Sequence, residues 1–175
     1  VLTDFGGNGP STILETVDGN YARVEKNSGA ETWAGVTIGS GAGFLNDIPI
    51  TNTDTKMFVR VYVSGTTQTG IPIKLKIENS QDPTQSVETD TYTTVAGEWE
   101  IMEFDFSNES EGTAALNTNY VFDMASIFFD FGSTGNQNTV YYFDNVSFGS
   151  PLNVDENLFL SYRVYPNPFT ETINI

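Results

Sequence analysis

The sequence predicts an all-β protein, an antiparallel β-sandwich of jelly-roll topology, and three observations carry that prediction. Two neighbouring runs, residues 56–64 and 71–79, alternate strictly: Met57, Val59, Val61 and Val63 share one side of the first, and Ile71, Ile73, Leu75 and Ile77 one side of the second. Side chains of a strand point to opposite faces with period 2, so each run is a half-buried strand. Further short runs of the same kind follow one another between Gly- and Asn-rich turns. No stretch carries a convincing helical periodicity.

Taken in order, residues 1–10 are a short strand running into a turn at Asn8-Gly9-Pro10, and residues 11–19 read equally as strand or loop. Residues 21–26 form a strand with Ala22 and Val24 inward and Tyr21, Arg23 and Glu25 outward. After the turn at Asn27-Ser28-Gly29, residues 33–39 place Ala34, Val36 and Ile38 on the core side and Trp33, Gly35 and Thr37 opposite. A polar loop over 40–55 leads into the two alternating runs, which the connection 65–70 is expected to join as a hairpin. Residues 81–86 read as loop and 87–94 as strand. Residues 99–106 turn Met102, Phe104 and Phe106 inward, 125–131 do the same with Ile127, Phe129 and Phe131, and 140–148 is the last strand. The intervening 108–119 is polar and acidic. The domain is expected to span 1–149, followed by a linker over 150–164 and a distinct segment over 165–175, since Pro166 and Pro168 cannot sit inside a sheet.

Composition narrows the function. The 175 residues are enough for one real core, and 13 Phe and 8 Tyr supply large apolar area. Seven basic residues against 23 acidic ones give a net charge of −16, which argues against nucleic acid or an anionic membrane as partner. Cys and His are absent, which excludes thiolate nucleophiles, disulfides, zinc sites of the usual kind and Ser-His-Asp triads. Any metal must be held by oxygen, and calcium is the natural candidate. No apolar run reaches the ~18 residues of a membrane span. The opening at Val1 without a signal peptide suggests a mature or excised fragment of a secreted or cell-surface protein, expected to be monomeric.

The candidate site follows from parity. Trp33 lies opposite the core set, where an indole can stack on the C–H face of a sugar, and Tyr21 and Arg23 are expected beside it. Arg60, Lys74, Lys76 and Arg23 are expected to share the solvent face with Tyr21, Tyr62 and Glu78. Four of the seven cations on one face would form an electropositive groove suited to a sulfated or carboxylated sugar, unless each pairs with a carboxylate. Trp99, between Glu98 and Glu100, reads first as structural. Gln81, Gln85 and Tyr92 are possible hydrogen-bonding partners. Asp4 and Asp144 are calcium candidates, with backbone carbonyls near Gly29 completing an oxygen shell. Paired carboxylates for glycoside hydrolysis are not singled out by any local motif, and catalysis is the weakest reading.

The stretch Tyr21-Ala22-Arg23-Val24-Glu25-Lys26, Trp33-Ala34-Gly35-Val36, Phe104-Asp105-Phe106-Ser107 and Tyr141-Tyr142-Phe143-Asp144-Asn145-Val146 together resemble a β-sandwich carbohydrate-binding module of the group containing families 4, 16 and 22, most like family 16. That resemblance implies a structural Ca²⁺ held by Asp4 or its neighbour Thr3, by the Gly29 carbonyl and by Asp144. It also implies sugar binding on a concave face through Trp33 and, less directly, Trp99. The segment Tyr165-Pro166-Asn167-Pro168-Phe169 onwards is similar to the start of a type IX secretion C-terminal sorting domain. Together these imply a non-catalytic module, without enzyme activity of its own, that targets a tethered polysaccharide hydrolase to algal polysaccharide. A κ-carrageenase or laminarinase of glycoside hydrolase family 16 is the implied parent. The sulfated galactan κ-carrageenan is the first expectation for the ligand. A neutral β-glucan such as laminarin, or glucomannan, is the second, and a spacer or adhesion module without a sugar site the third.

Overall fold

The computed structural model describes residues 1–150 apart from 18, 40 and 66. Ten strands, β1 (Leu2–Phe5), β2 (Thr12–Thr16), β3 (Gly19–Lys26), β4 (Gly35–Ile38), β5 (Lys56–Val63), β6 (Pro72–Asn79), β7 (Asp82–Tyr92), β8 (Trp99–Asp105), β9 (Met124–Phe129) and β10 (Thr139–Phe148), form two sheets. Sheet I has the order β1-β4-β9-β6-β7 and sheet II the order β2-β3-β10-β5-β8, and every pairing is antiparallel. This is the expected β-sandwich of jelly-roll form. The linker from 151 on and the sorting-domain-like segment at 165–175 lie outside the described residues.

Parity places the core as expected. Met57, Val59, Val61 and Val63 from sheet II face Ile73, Leu75 and Ile77 from sheet I, with Met102, Phe104, Phe106, Phe122, Ile127 and Phe129 filling the layer between them. Each fully buried side chain of this size contributes on the order of 1.5–3 kcal/mol, so the facing layers dominate the stability of the fold.

The expected hairpin is not formed. Strands β5 and β6 belong to different sheets, and the connection 65–70 passes from one layer to the other. Sheets pack about 10 Å apart, a span that six residues cover easily, and two apolar faces can be satisfied by facing each other as well as by lying side by side. The two local hairpins among the described strands are β2–β3 and β6–β7. The second replaces the loop expected over 81–86, because β7 begins at Asp82 and carries Pro83 on an edge of sheet I, where a missing N–H is tolerated. Within residues 11–19, Thr12–Thr16 form β2. Trp33 stands in a turn just ahead of β4 rather than on it.

One core position departs from its residue type. Lys26 follows Ala22 and Val24 in inward parity and is 1% exposed. Its ammonium donates to the carbonyls of Phe129 (3.2 Å) and Asp130 (2.8 Å), tying the end of β3 to the end of β9 across the sandwich. Burial lowers its pKa below the ordinary value, and the nearby Asp130 charge opposes that shift.

Candidate functional site

The outward face of sheet II gathers aromatic side chains. Register aligns Arg23, Tyr142, Tyr62 and Trp99 across β3, β10, β5 and β8, with Tyr21 two residues from Arg23 on β3. The rings converge: Tyr21–Tyr142, Tyr142–Tyr62, Tyr62–Trp99 and Trp99–Tyr21 lie 5.6, 5.9, 5.6 and 5.9 Å apart between centroids. Interplanar angles of 48–80° make these edge-to-face and tilted contacts, the geometry that aromatic quadrupoles favour. Tyr21, Tyr62, Trp99 and Tyr142 thereby line a well of about 310 Å³ with Ser64 at its rim. Trp99 keeps 37% of its surface exposed, and Ile101 beside it on β8 keeps 47%.

A charged layer supports the rings. The Arg60 guanidinium lies 4.5 Å from the centre of the Trp99 ring. It also holds Asp144 on both carboxylate oxygens, Nε to Oδ1 at 2.7 Å and Nη2 to Oδ2 at 2.5 Å. A bidentate pair fixes the plane of the guanidinium, and with it the seat of the indole. Asn145, at φ 48°, begins the bulge that shifts the register of β10 after Asp144. A bulge re-aims side chains locally, and this one ends the regular row of the well. On the other flank Arg23 is held by Glu25 at 2.7 Å and contacts Tyr142.

The expected site residues divide between the two layers. Tyr21, Arg23, Arg60, Tyr62 and Trp99 come together on sheet II. Lys74, Lys76, Glu78, Gln81, Gln85 and Tyr92 belong to sheet I or its β6–β7 turn, so the single electropositive face is corrected to two separate faces. Neither lysine is available as a groove cation. Lys74 is 3% exposed, with its ammonium 2.9 Å from Glu88, 3.6 Å from Asp90 and 4.1 Å from the centre of the Phe131 ring. Lys76 pairs with Glu78 at 2.6 Å. Gln81 donates to Ser80 within the turn, Gln85 to Asp82 on edge strand β7, and Tyr92 ends β7.

Trp33 is also relocated. It is half exposed, but its ring stacks on Phe5 at 6.3 Å and 15°, in a cluster with Phe128 and Phe131, and Tyr21 and Arg23 are on the other sheet. The seat depends on Gly6, since a Cβ there would come within 3.1 Å of the indole and 2.7 Å of the Ala34 backbone.

The expected metal ligands are likewise dispersed. Asp4, on β1 of sheet I, accepts from the Ser11 backbone N–H (2.8 Å) and hydroxyl (2.5 Å). Asp144, on sheet II, is occupied by Arg60, and the Gly29 N–H donates to Gly135 at 2.6 Å. The Asp4 and Asp144 carboxylates thus lie in different sheets and each already accepts protein donors. Among the described residues no group of three or more Asp, Glu, His or Cys side chains could hold a metal.

Tyr142 is the residue that sequence reasoning passed over. The signal was present, since inward Tyr141 and Phe143 leave Tyr142 and Asp144 outward by parity.

No protein-family model matches the sequence, and no curated protein matches it significantly. Solved structures do share its fold. The family 11 carbohydrate-binding module of the cellulosomal cellulase Lic26A-Cel5E of Clostridium thermocellum matches with a TM-score of 0.52 at 12% identity, over 86% of this chain and 87% of that one. A family 11 module from the same organism, in complex with a β-1,3-1,4-mixed-linked tetrasaccharide, gives a TM-score of 0.52 at 12% identity over 87% and 89%. The family 30 module of its cellulase Cel9D-Cel44B gives 0.52 at 8% identity over 86% and 92%. At such identities the likeness is one of fold, the β-sandwich seen in carbohydrate-binding modules.

Proposed function

We propose that this chain is a non-catalytic carbohydrate-binding module that holds a neutral β-glucan against the aromatic well of sheet II. The observation that carries the reading is the convergence of Tyr21, Tyr62, Trp99 and Tyr142 on one outward face. Exposed ring surface takes the C–H faces of pyranose units, and phenol hydroxyls, Ser64 and the Arg60–Asp144 pair offer hydrogen bonds at its margins. The mixed-linkage glucan bound by a family 11 module of the same fold supports this class of ligand. The well tops a face whose cations are already paired, which favours a neutral chain over the sulfated galactan first expected.

In this reading the module is secreted, is tethered to a polysaccharide hydrolase, and raises the local concentration of substrate. Family 16 character, a family 16 hydrolase as parent and export by type IX secretion are proposals resting on the sequence resemblances alone. No helix among the described residues is long and apolar enough to cross a membrane. We also retain a structural Ca²⁺ at Asp4, Gly29 and Asp144 as a proposal resting on the sequence resemblance alone. A melting temperature lowered by chelator supports the ion, and an unchanged one removes it.

Affinity electrophoresis in gels containing laminarin, mixed-linkage β-glucan, glucomannan or κ-carrageenan tests the function. Retardation by a neutral glucan that falls at least tenfold in Trp99→Ala, the loss of roughly 1.4 kcal/mol or more of a central aromatic contact, is the expected result. Salt-sensitive retardation by κ-carrageenan alone would restore the sulfated galactan. No retardation in any gel would leave a spacer or adhesion module.

A further inference from the structure

We propose that the polar cavity at one loop end of the sandwich is a second saccharide site, and that it takes the terminal unit of a glycan chain. The cavity, about 370 Å³, opens between the β5–β6 and β9–β10 connections. Ser64, Thr67, Gln68, Asp130, Asn136, Gln137 and Thr139 supply its polar lining, while Val63 and Tyr141, both nearly fully buried, form its inner wall. One carboxylate, three amides and the hydroxyls of Ser64, Thr67 and Thr139, with no cation in the lining, suit a neutral polyol and repel an anion. A buried inner wall stops a chain rather than letting it pass, so a terminal unit fits where an internal one does not.

The site is built rather than incidental. Asp130 has φ 49°, a left-handed conformation that is uncommon outside glycine and recurs where structure serves a function. The backbone is held there by the buried Lys26 ammonium and by the Ser133 N–H, both donating to the Asp130 carbonyl. Among the described residues no hydrogen bond is donated to the Asp130 carboxylate, which leaves its oxygens for hydroxyls of a ligand.

The β9–β10 loop is also docked. The Gly135 N–H donates to Ala30 (2.9 Å) and the Gly29 N–H to Gly135 (2.6 Å). A side chain at Gly135 would collide with the Asn27 carbonyl. The Ser28 N–H donates to Asn138 at 2.9 Å, which completes the clasp. A docked loop presents Asn136 and Gln137 without first having to be ordered, which lowers the entropic cost of binding. Ser64 lines both this cavity and the aromatic well, so the two share a rim.

The inference rests on the proposed function only for the class of ligand, and the test separates the two. Trp99→Ala, which disables the well, is titrated with laminaritriose, cellotriose and mannotriose and followed by amide NMR. Saturable shifts confined to residues 64–68 and 130–139 with at least one of these sugars are expected. Adding Asp130→Asn should weaken them tenfold or more, and asparagine tolerates the left-handed backbone, so the loop is kept. Gln137→Ala, at an exposed position, should weaken them at least threefold and guards against a folding artefact. No saturable shift at these amides with any of the three sugars, or shifts indifferent to both substitutions, overturns the proposal. Titration of the unmodified protein reports on the well separately, through the amides of Tyr62, Trp99 and Tyr142.

Discussion

Lys74 provides a sharp test of how the two faces are divided. Its side chain is 4% exposed and faces Glu88 and Asp90, which keep 24% and 30% of theirs. Lys74→Met preserves length and packing but leaves two neighbouring carboxylates without their cation. Removing one partner of a fully buried pair costs about 3–5 kcal/mol. These carboxylates are still partly hydrated, and we take about half of that. Loss of the cation over Phe131 adds about 0.5–1 kcal/mol, part of which the methionine sulfur returns on the same ring. The expected destabilisation is roughly 2–3 kcal/mol, or about 5–10 °C in melting temperature for a domain of this size. Urea unfolding followed by tryptophan fluorescence reads it directly, and Lys74→Met/Glu88→Gln should recover about half, because it removes the repulsion. Glycan retention should not change, since the well lies on the other sheet. A loss below about 0.5 kcal/mol, the scale of an ordinary surface change, together with weakened retention by a sulfated glycan, would refute the reasoning and return Lys74 to an open groove.

Two further substitutions probe the well and the core. Arg60→Met removes both the guanidinium under Trp99 and the partner of Asp144, whose side chain is only 10% exposed. It should cost about 2–4 kcal/mol of stability, and Arg60→Met/Asp144→Leu should recover more than half of it, as read by urea titration. The same double variant should bind glucan more weakly than the unmodified protein, because the indole has lost its seat. Tyr141 has its pKa raised above the ordinary 10, first by burial and then by the charge of Asp130. The unfolded chain therefore releases this proton first. Its contribution to stability is complete below pH 10 and is lost as pH rises from there toward the folded-state value. Tyr141→Phe should flatten the alkaline decline in stability between pH 9 and 11, and an identical slope would remove Tyr141 as its source.

The legible part of the fold was what parity alone decides. Alternation identified the inward sets of β3, β5, β6, β8 and β9 because each position is independent of which strand lies next to it. Topology was not legible, because an apolar face asks only to be covered. The polar connection 65–70 serves a hairpin or a crossover equally well, and the error moved Lys74 and Lys76 to the wrong face. Trp33 and Trp99 show the same limit at the site. Each is outward or near a strand start by sequence, but only the register of β5 with β8 brings Trp99 against Tyr62, and only the turn ahead of β4 seats the half-exposed Trp33 on Phe5. Lys26 is inward by the same parity as Ala22 and Val24, although its residue type points to a surface. Its two carbonyl acceptors, more than a hundred positions away, are not a property of the sequence around it.

The distribution of cations explains why a strongly acidic chain presents so uncharged a well. Each of the six cations among the described residues has a partner: Arg23 holds Glu25, Lys56 holds Glu103, Arg60 holds Asp144, Lys74 holds Glu88, Lys76 holds Glu78, and Lys26 takes two carbonyls. Used this way, scarce positive charge neutralises carboxylates on the sheet faces and leaves the excess of acids elsewhere, including the loop over 108–119. A long-range negative field then repels polyanionic glycans at distances within a Debye length, about 8–10 Å at physiological salt, while an uncharged chain approaches without penalty. Binding carried by the rings should accordingly be insensitive to ionic strength. Retention by laminarin or mixed-linkage glucan measured at 50 and 500 mM salt checks this, with less than about a twofold difference expected because stacking involves no counterion release. A tenfold fall with salt would mean that charge, not ring surface, holds the glycan.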